Sequence, residues 1–202
     1  MTAVVTAITN GYDQPKTHVD QSVKFEGRLL VNAGVDGRHP RLVAKEPKLR
    51  PWRYTEDDGP WIWLDGSFEI ISPTFVEEVL AASEGHPISM WEHPQRDCVY
   101  DEAAFSADLP KYRTQPIVEQ AAHYRAIGHP KHWGLWAAGL IVYRSRCDYL
   151  ADLWWAEINR WGYQDQISLP IALRAAGMRP HPLPYSLYQN PWLRLHGHRS
   201  EL

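Results

Sequence analysis

The run Trp61-Ile62-Trp63-Leu64-Asp65-Gly66 constrains the fold more than any other segment of the chain. Four successive bulky apolar residues leave no polar face for water, so the run fits a strand buried on both sides, as in a parallel sheet covered by helices. It stops at a carboxylate and a glycine. In open α/β sheets ligands collect in the crevice beyond the carboxyl ends of the strands, which places Asp65 and Gly66 at such a crevice. Other segments supply the rest of a sheet. Ala3 to Thr9 is rich in β-branched residues and runs into the turn-forming Asn10-Gly11-Tyr12-Asp13. Lys24 to Asn32, Ile88 to Trp91 and Leu140 to Tyr143 read as further strands. Apolar spacing and end signals predict helices over about 73–84, 98–107, 116–127, 148–161 and 167–176, the last despite Pro170. The expected architecture is mixed α/β, in a single domain over residues 1–202.

Composition narrows the function classes. A chain of 202 residues with 44% hydrophobic and 12% aromatic content can bury a full core. A formal net charge of -3 gives no bulk attraction to nucleic acid or to an anionic membrane, so any phosphate recognition must be local. No apolar stretch approaches the roughly 20 residues of a membrane span, and Met1 to Val5 lacks the pattern of a signal peptide, which makes a cytoplasmic location the default expectation. Cys98 and Cys147 form no Cys-x-x-Cys pair, so both are read as reduced and no cysteine zinc site is indicated.

Five segments carry candidate chemistry, each with a plainer alternative. Arg38, Arg41, Lys45, Lys48, Arg50 and Arg53 form either a solvated face or a cationic wall for phosphate groups. Asp65 is either a turn former or a ligand-facing acid. Glu92-His93-Pro94-Gln95-Arg96-Asp97 follows a strand, and Asp97 could instead cap the next helix. Asp165-Gln166 enters a helix, where Asp165 has the chemistry of an N-cap. In His196-Gly197-His198-Arg199 an extended backbone places both imidazoles on one face, as a metal or phosphate site could use; the alternative is a frayed terminus. Most of the ten tryptophans, Trp133, Trp136, Trp154, Trp155 and Trp161 included, are expected in the core.

In their order along the chain, Trp63-Leu64-Asp65-Gly66, His93-Pro94-Gln95-Arg96-Asp97-Cys98-Val99-Tyr100-Asp101-Glu102 and Trp161-Gly162-Tyr163-Gln164-Asp165-Gln166 resemble nucleotide-sugar glycosyltransferases of the GT-A fold. Within that superfamily the chain looks closest to the TOD/MUCI-like glycosyltransferase family. The resemblance implies a GT-A-like (Rossmann-like) mixed, mostly parallel central sheet flanked by helices. It also implies transfer of a sugar from a nucleoside diphosphate sugar to an acceptor hydroxyl, with Mn²⁺ or Mg²⁺ assistance. Thr9, Asn10, Tyr12 and Asp13 would then hold the nucleotide, with Lys45, Gly66 and Arg199 near its phosphates. Ala138 and Gly139 would give the sugar room, and Asp165 and Gln166 would face its reacting centre. Asp65, His196 and His198 would bind the metal. Arg96 would contact phosphate or sugar, and Glu92, Asp97, Asp101 or Glu102 would take the acceptor's proton. The chain departs from the superfamily's Asp-x-Asp at Asp65-Gly66-Ser67, and Lys45, Arg96 or Arg199 could replace the metal as counter-charges.

Three other readings stay open at this point. One is a catalytically silent nucleotide-sugar or carbohydrate-binding module. Another is a transferase acting on a modified base in nucleic acid. The third is a zinc hydrolase built from the histidines, although His-Glu-x-x-His is absent and Pro130 separates His129 from His132.

Overall fold

A six-stranded sheet organises the chain. The computed structural model describes residues 1–9, 11, 13–31, 39–56 and 58–197. β1 (Thr2–Ile8) pairs in parallel with β2 (Phe25–Val31) on one side and with β3 (Trp61–Leu64) on the other. β6 (Trp136–Tyr143) is antiparallel to both β3 and β5 (Ile88–Glu92), and β7 (His181–Pro182) runs parallel to β5. Five strands therefore share one direction and β6 opposes them. The mixed, mostly parallel sheet expected from the sequence is present.

The apolar run of β3 is buried throughout because the sheet is covered on both faces. Successive side chains alternate. Trp61 and Trp63 enter a core that includes Trp136, Trp154, Ile158, Leu169 and Leu173, whereas Ile62 and Leu64 enter a second core with Phe75, Val79, Val142 and Trp192. The first face is covered by α6 (Asp148–Trp161) and α7 (Asp165–Ala175), the second by α3 (Phe75–Ala82). Beside the first face, α4 (Val99–Ala107) and α5 (Ile117–Ala126) pack with Ile167 and Ile171 of α7 into a third cluster.

Two features were not anticipated. The basic stretch folds into α1 (Pro40–Val43) and α2 (Lys45–Leu49), which bury Lys48 and Arg50 to 3% and 4% exposure, so those two residues do not belong to a solvated face. Near the other end of the chain, β8 (Leu193–Leu195) pairs with β4 (Phe68–Ile70) as a separate two-stranded ladder. It returns the C-terminal segment to the strand end that carries Asp65. Among the described residues no helix is long and apolar enough to cross a membrane.

Candidate functional site

A cavity of about 910 Å³ opens beyond the carboxyl ends of β1 and β3, between α2, the start of β6 and the start of α7. Asp65 directly follows β3, and its backbone N–H donates to the Gly139 carbonyl (2.8 Å), which fixes it against β6. Its carboxylate accepts from Trp63 Nε1 (2.7 Å) and from Lys48 Nζ (3.5 Å) and retains 39% side-chain exposure. Asp165 opens α7 from the opposite side, with side-chain exposure of 6%. Its Oδ2 lies 2.8 Å from Lys48 Nζ and 3.0 Å from Lys45 Nζ. Two acids separated by a hundred residues of chain thus meet on one ammonium.

The electrostatics of this cluster follow from burial and pairing. Burial alone would raise the pKa of Asp165, yet the flanking Lys45 and Lys48 hold it at about 2, so the carboxylate is ionised at neutral pH. Lys45 is pushed below the ordinary lysine value, first by burial, with Asp165 opposing. Lys48 is held above it because Asp165 and Asp65 together outweigh its burial. Lys48 is also fixed from behind, since its carbonyl accepts from the buried Tyr143 hydroxyl of β6 (3.0 Å).

Backbone shape gives the floor its room. A Cβ on Gly139 would lie 2.7 Å from Phe68 Cε2 and 3.3 Å from Asp65 Oδ2, and one on Gly66 would lie 2.7 Å from Ile8 Cγ1. Neither position admits a side chain without displacing a neighbour. A cationic and aromatic wall stands opposite the acids. His39 stacks on Tyr163 at 4.8 Å and 18°, Arg41 lies over the same ring at 5.0 Å, and the Tyr163 hydroxyl donates to the Lys111 carbonyl (2.9 Å). Gly162, at φ +125°, brings Tyr163 there, and Gln115 Oε1 accepts from the Tyr163 N–H (2.8 Å).

The profile of the TOD1/MUCI70 glycosyltransferase-like domain matches residues 28–188. The chain belongs to that family. No curated protein and no solved structure gave a significant match. The matched span includes Lys45, Lys48, Asp65, Gly139 and Asp165; of the charged residues that line the cavity, Asp13 lies outside it.

Of the residues singled out in the sequence, Thr9, Asp13, Lys45, Asp65, Gly66, Ala138, Gly139, Asp165 and Gln166 all line this one cavity. Thr9 Oγ1 donates to the Pro40 carbonyl (2.9 Å), and Gln166 Nε2 donates to the Trp136 carbonyl (3.3 Å). Asn10, Tyr12, His198 and Arg199 lie outside the described residues. Asp165 occupies the first turn of α7, whose cap position is Gln164, so the N-cap reading of Asp165 is corrected by one residue.

Glu92 and Arg96 do not reach the cavity lining. Glu92 is exposed at the end of β5. Arg96 Nε donates to Glu102 Oε2 (2.6 Å), and Gln164 Nε2 donates to Glu102 Oε1 (3.1 Å) and Ser106 Oγ (2.8 Å). Glu102, at 3% exposure, is thereby spent as an acceptor inside the protein, and the sequence reading of it as an acceptor's base is corrected. Asp97 pairs with His132 (2.7 Å) at the surface, and α4 is capped at Cys98. The Arg96–Glu102–Gln164 chain ends one residue before Asp165, so it supports that acid from behind.

Among the described residues the donors proposed for a metal do not gather into an ion site, and His198 lies outside those residues. His196 Nε2 contacts Glu69 Oε2 (2.8 Å), and His196 is not among the residues that line the cavity. Asp65 and Asp165 are each matched to an ammonium. Among the described residues, the one group of three His, Cys, Asp or Glu side chains whose ligand atoms approach within 4.8 Å is Cys98, Asp101 and His132, none of which lines the cavity. A hard divalent ion needs several clustered oxygens, and neighbouring ammonium groups oppose it.

In the sequence Lys48 and Arg41 stand out only as members of a charge run, and nothing there marks His39, Lys111 or Tyr112, which also line the cavity. Lys48 had one usable signal, its position one turn after Lys45. Pro47 between them masked the helical spacing.

Proposed function

We propose that this domain transfers a sugar from a nucleoside diphosphate sugar to an acceptor hydroxyl. The observation that carries the reading is the convergence of Asp65 and Asp165 on Lys48, with Lys45 alongside, at the floor of a cavity large enough for a nucleotide sugar. In the step proposed, the bond between the sugar's anomeric carbon and the phosphate oxygen breaks and its electron pair stays on the diphosphate. A bond forms from the acceptor oxygen to that carbon, and the acceptor's proton passes to the departing diphosphate.

Each part of the cavity suits one part of this step. Tyr163, stacked on His39 and covered by Arg41, offers a planar surface for a nucleobase with cations beside the first phosphates. Lys45, at 18% side-chain exposure, faces the charge that develops on the leaving group. Asp165 stays ionised, so it accepts hydrogen bonds from donor-sugar hydroxyls and stabilises positive charge at the anomeric carbon. Gly139, with no Cβ, lets the sugar ring approach the β6 backbone. The family's glycosyltransferase-like character supports the same assignment.

The test is a panel of nucleoside diphosphate sugars incubated with the full chain, with release of nucleoside diphosphate measured and thermal unfolding followed in parallel. At least one donor should raise the melting temperature and be slowly hydrolysed when water replaces the acceptor. Asp165→Asn should keep the nucleotide-dependent stabilisation and lose most of the release. Stabilisation without release from any donor, in the presence or absence of candidate acceptors, would assign the cavity to a silent binding module and refute the transfer reading.

A further inference from the structure

We infer that the Lys45–Lys48 pair takes the place of a divalent ion in this cavity, so that donor cleavage proceeds without Mn²⁺ or Mg²⁺. The inference rests on the transfer reading above and specifies how its leaving group is neutralised.

Few carboxylates reach the cavity. Asp13, Asp65 and Asp165 are those that line the cavity, and among the described residues they do not form a cluster whose oxygens could share one ion. Asp65 Oδ1 already accepts from Trp63 Nε1 at 2.7 Å and Lys48 Nζ at 3.5 Å. Asp165 Oδ2 is approached by two ammonium groups, at 2.8 and 3.0 Å. A divalent ion bound by Asp65 would face the Lys48 charge across that carboxylate.

The position after Asp65 points the same way. The backbone turns sharply through Gly66, where Ile8 leaves no space for a Cβ. Ser67 follows with 4% exposure, and its carbonyl accepts from the His196 N–H (2.9 Å). Neither residue brings a second carboxylate to the cavity, and the His196 imidazole is committed to Glu69. What the site does contain is two ammonium groups held by acids, with Arg41 and Lys111 also lining the cavity. Fixed cations of this kind stabilise a departing diphosphate without rearrangement, which is the service a bridging metal otherwise provides. When the carbon–oxygen bond breaks, the electron pair moves to the phosphate oxygen, and Lys45 can donate to it while Lys48 holds Asp165 in place.

The experiment uses the full chain after exhaustive chelation. Release of nucleoside diphosphate from the donor panel is compared in excess chelator, in Mn²⁺ and in Mg²⁺, for the native protein, Lys45→Met and Lys45→Arg. Calorimetry with the nucleoside diphosphate alone supplies a second readout. The expected result is a rate that changes less than about twofold between chelator and added ion. In Lys45→Met it should fall on the order of a hundredfold and not recover with Mn²⁺, while Lys45→Arg should keep part of it. A rate abolished by chelator and restored tenfold or more by Mn²⁺ would overturn the inference and leave the transfer reading standing. If no donor is cleaved, the transfer reading falls, and the role of the lysines is then decided by calorimetry. Affinity for nucleoside diphosphate that is indifferent to Mn²⁺ and lowered in Lys45→Met supports it; affinity raised tenfold or more by Mn²⁺ refutes it.

Discussion

Replacing Asp165 with Asn removes the counter-charge of two lysines at once, and the structure sets the size of the effect. Asp165 is 4% exposed, and its pKa falls from the ordinary 3.8 to about 2 because Lys45 and Lys48 outweigh the burial that would raise it. The distance between those values corresponds to about 2 kcal/mol of stability at neutral pH. Because the native value lies below the unfolded one, this contribution is complete above about pH 4 and is lost as pH falls towards 2. Asp165→Asn gives it up at every pH and also leaves Lys48, whose side chain is 4% exposed, with only the longer Asp65 contact (3.5 Å) as counter-charge beside the remaining Lys45. Removing one partner of a buried pair costs about 3–5 kcal/mol; the Asn oxygen still accepts a hydrogen bond, so about 3 kcal/mol is expected here. For a chain of this size that corresponds to a melting temperature lower by roughly 10 °C.

The assay is urea and thermal unfolding at pH 7 and pH 3 for the native chain, Asp165→Asn, Lys48→Met and the double variant. At pH 3, between the two values, the native protein should lose about 1 kcal/mol of its advantage over Asp165→Asn, roughly half of the pH-dependent part. The double variant should be more stable than additivity predicts by at least about 1 kcal/mol, because it removes the charge that the single variant strands. Equal melting of Asp165→Asn and native protein at pH 7, together with an additive double variant, would show that Asp165 does not sit between the two lysines.

Gly139→Ala places a Cβ 2.7 Å from Phe68 Cε2 and 3.3 Å from Asp65 Oδ2; it should cost about 1–2 kcal/mol in urea unfolding and weaken nucleotide-sugar binding at least tenfold by calorimetry. Arg96→Ala strands the buried Glu102, so we expect about 2–3 kcal/mol of destabilisation and slower donor cleavage, with Arg96→Lys recovering part of both. His129 is held at about 4, first by burial and then by Arg174, against an ordinary 6.5. A buried neutral imidazole lends full stability above about pH 6.5 and progressively less as pH falls to about 4, so His129→Gln should flatten unfolding free energy against pH across that window.

The sequence was most informative where physics acts locally. Four apolar residues before Asp65 require burial on both faces, and the structure supplies it with α6 and α7 on one side and α3 on the other. The helix over 148–161 was likewise visible in the spacing of Leu150, Leu153, Trp154 and Trp161, of which the structure buries Leu150 and Trp154 together with Ala151 and Ile158. The cavity lining was legible as far as a strand end and a helix start carry it, at Asp65 and Asp165, whereas Gly139, inside β6, was marked only by the family resemblance. What lay hidden were pairings set by tertiary contacts alone. Lys48 looks like a surface lysine until α2 packs beneath Tyr143, and Arg96 looks like a phosphate ligand until Glu102 of the next helix claims it. His196 shares a face with the Asp65 turn through the β4–β8 ladder, yet its imidazole finds Glu69 first. Charge type is written in sequence, but the identity of the partner is not.

The arrangement around Lys48 explains how so small a set of buried charges can be both stable and open to a ligand. An isolated buried ammonium would lose its proton, and a buried carboxylate would gain one; each is kept charged here by the other. The pair is anchored on separate elements, Lys48 on α2 and Asp165 on α7, with the Tyr143 hydroxyl fixing the α2 backbone and Gln164 fixing the start of α7 through Glu102. Neither charge can relax towards the other when a ligand arrives. Lys45 and Asp65 occupy the solvent side of the same cluster and are the members with appreciable exposure. A negatively charged ligand entering from that side meets Lys45 first, over a layer of paired charges that has no freedom to collapse. The cost of holding charge away from water is thus met within the folded protein, before any ligand binds, and that is the condition under which fixed dipoles and ions stabilise a developing charge most effectively.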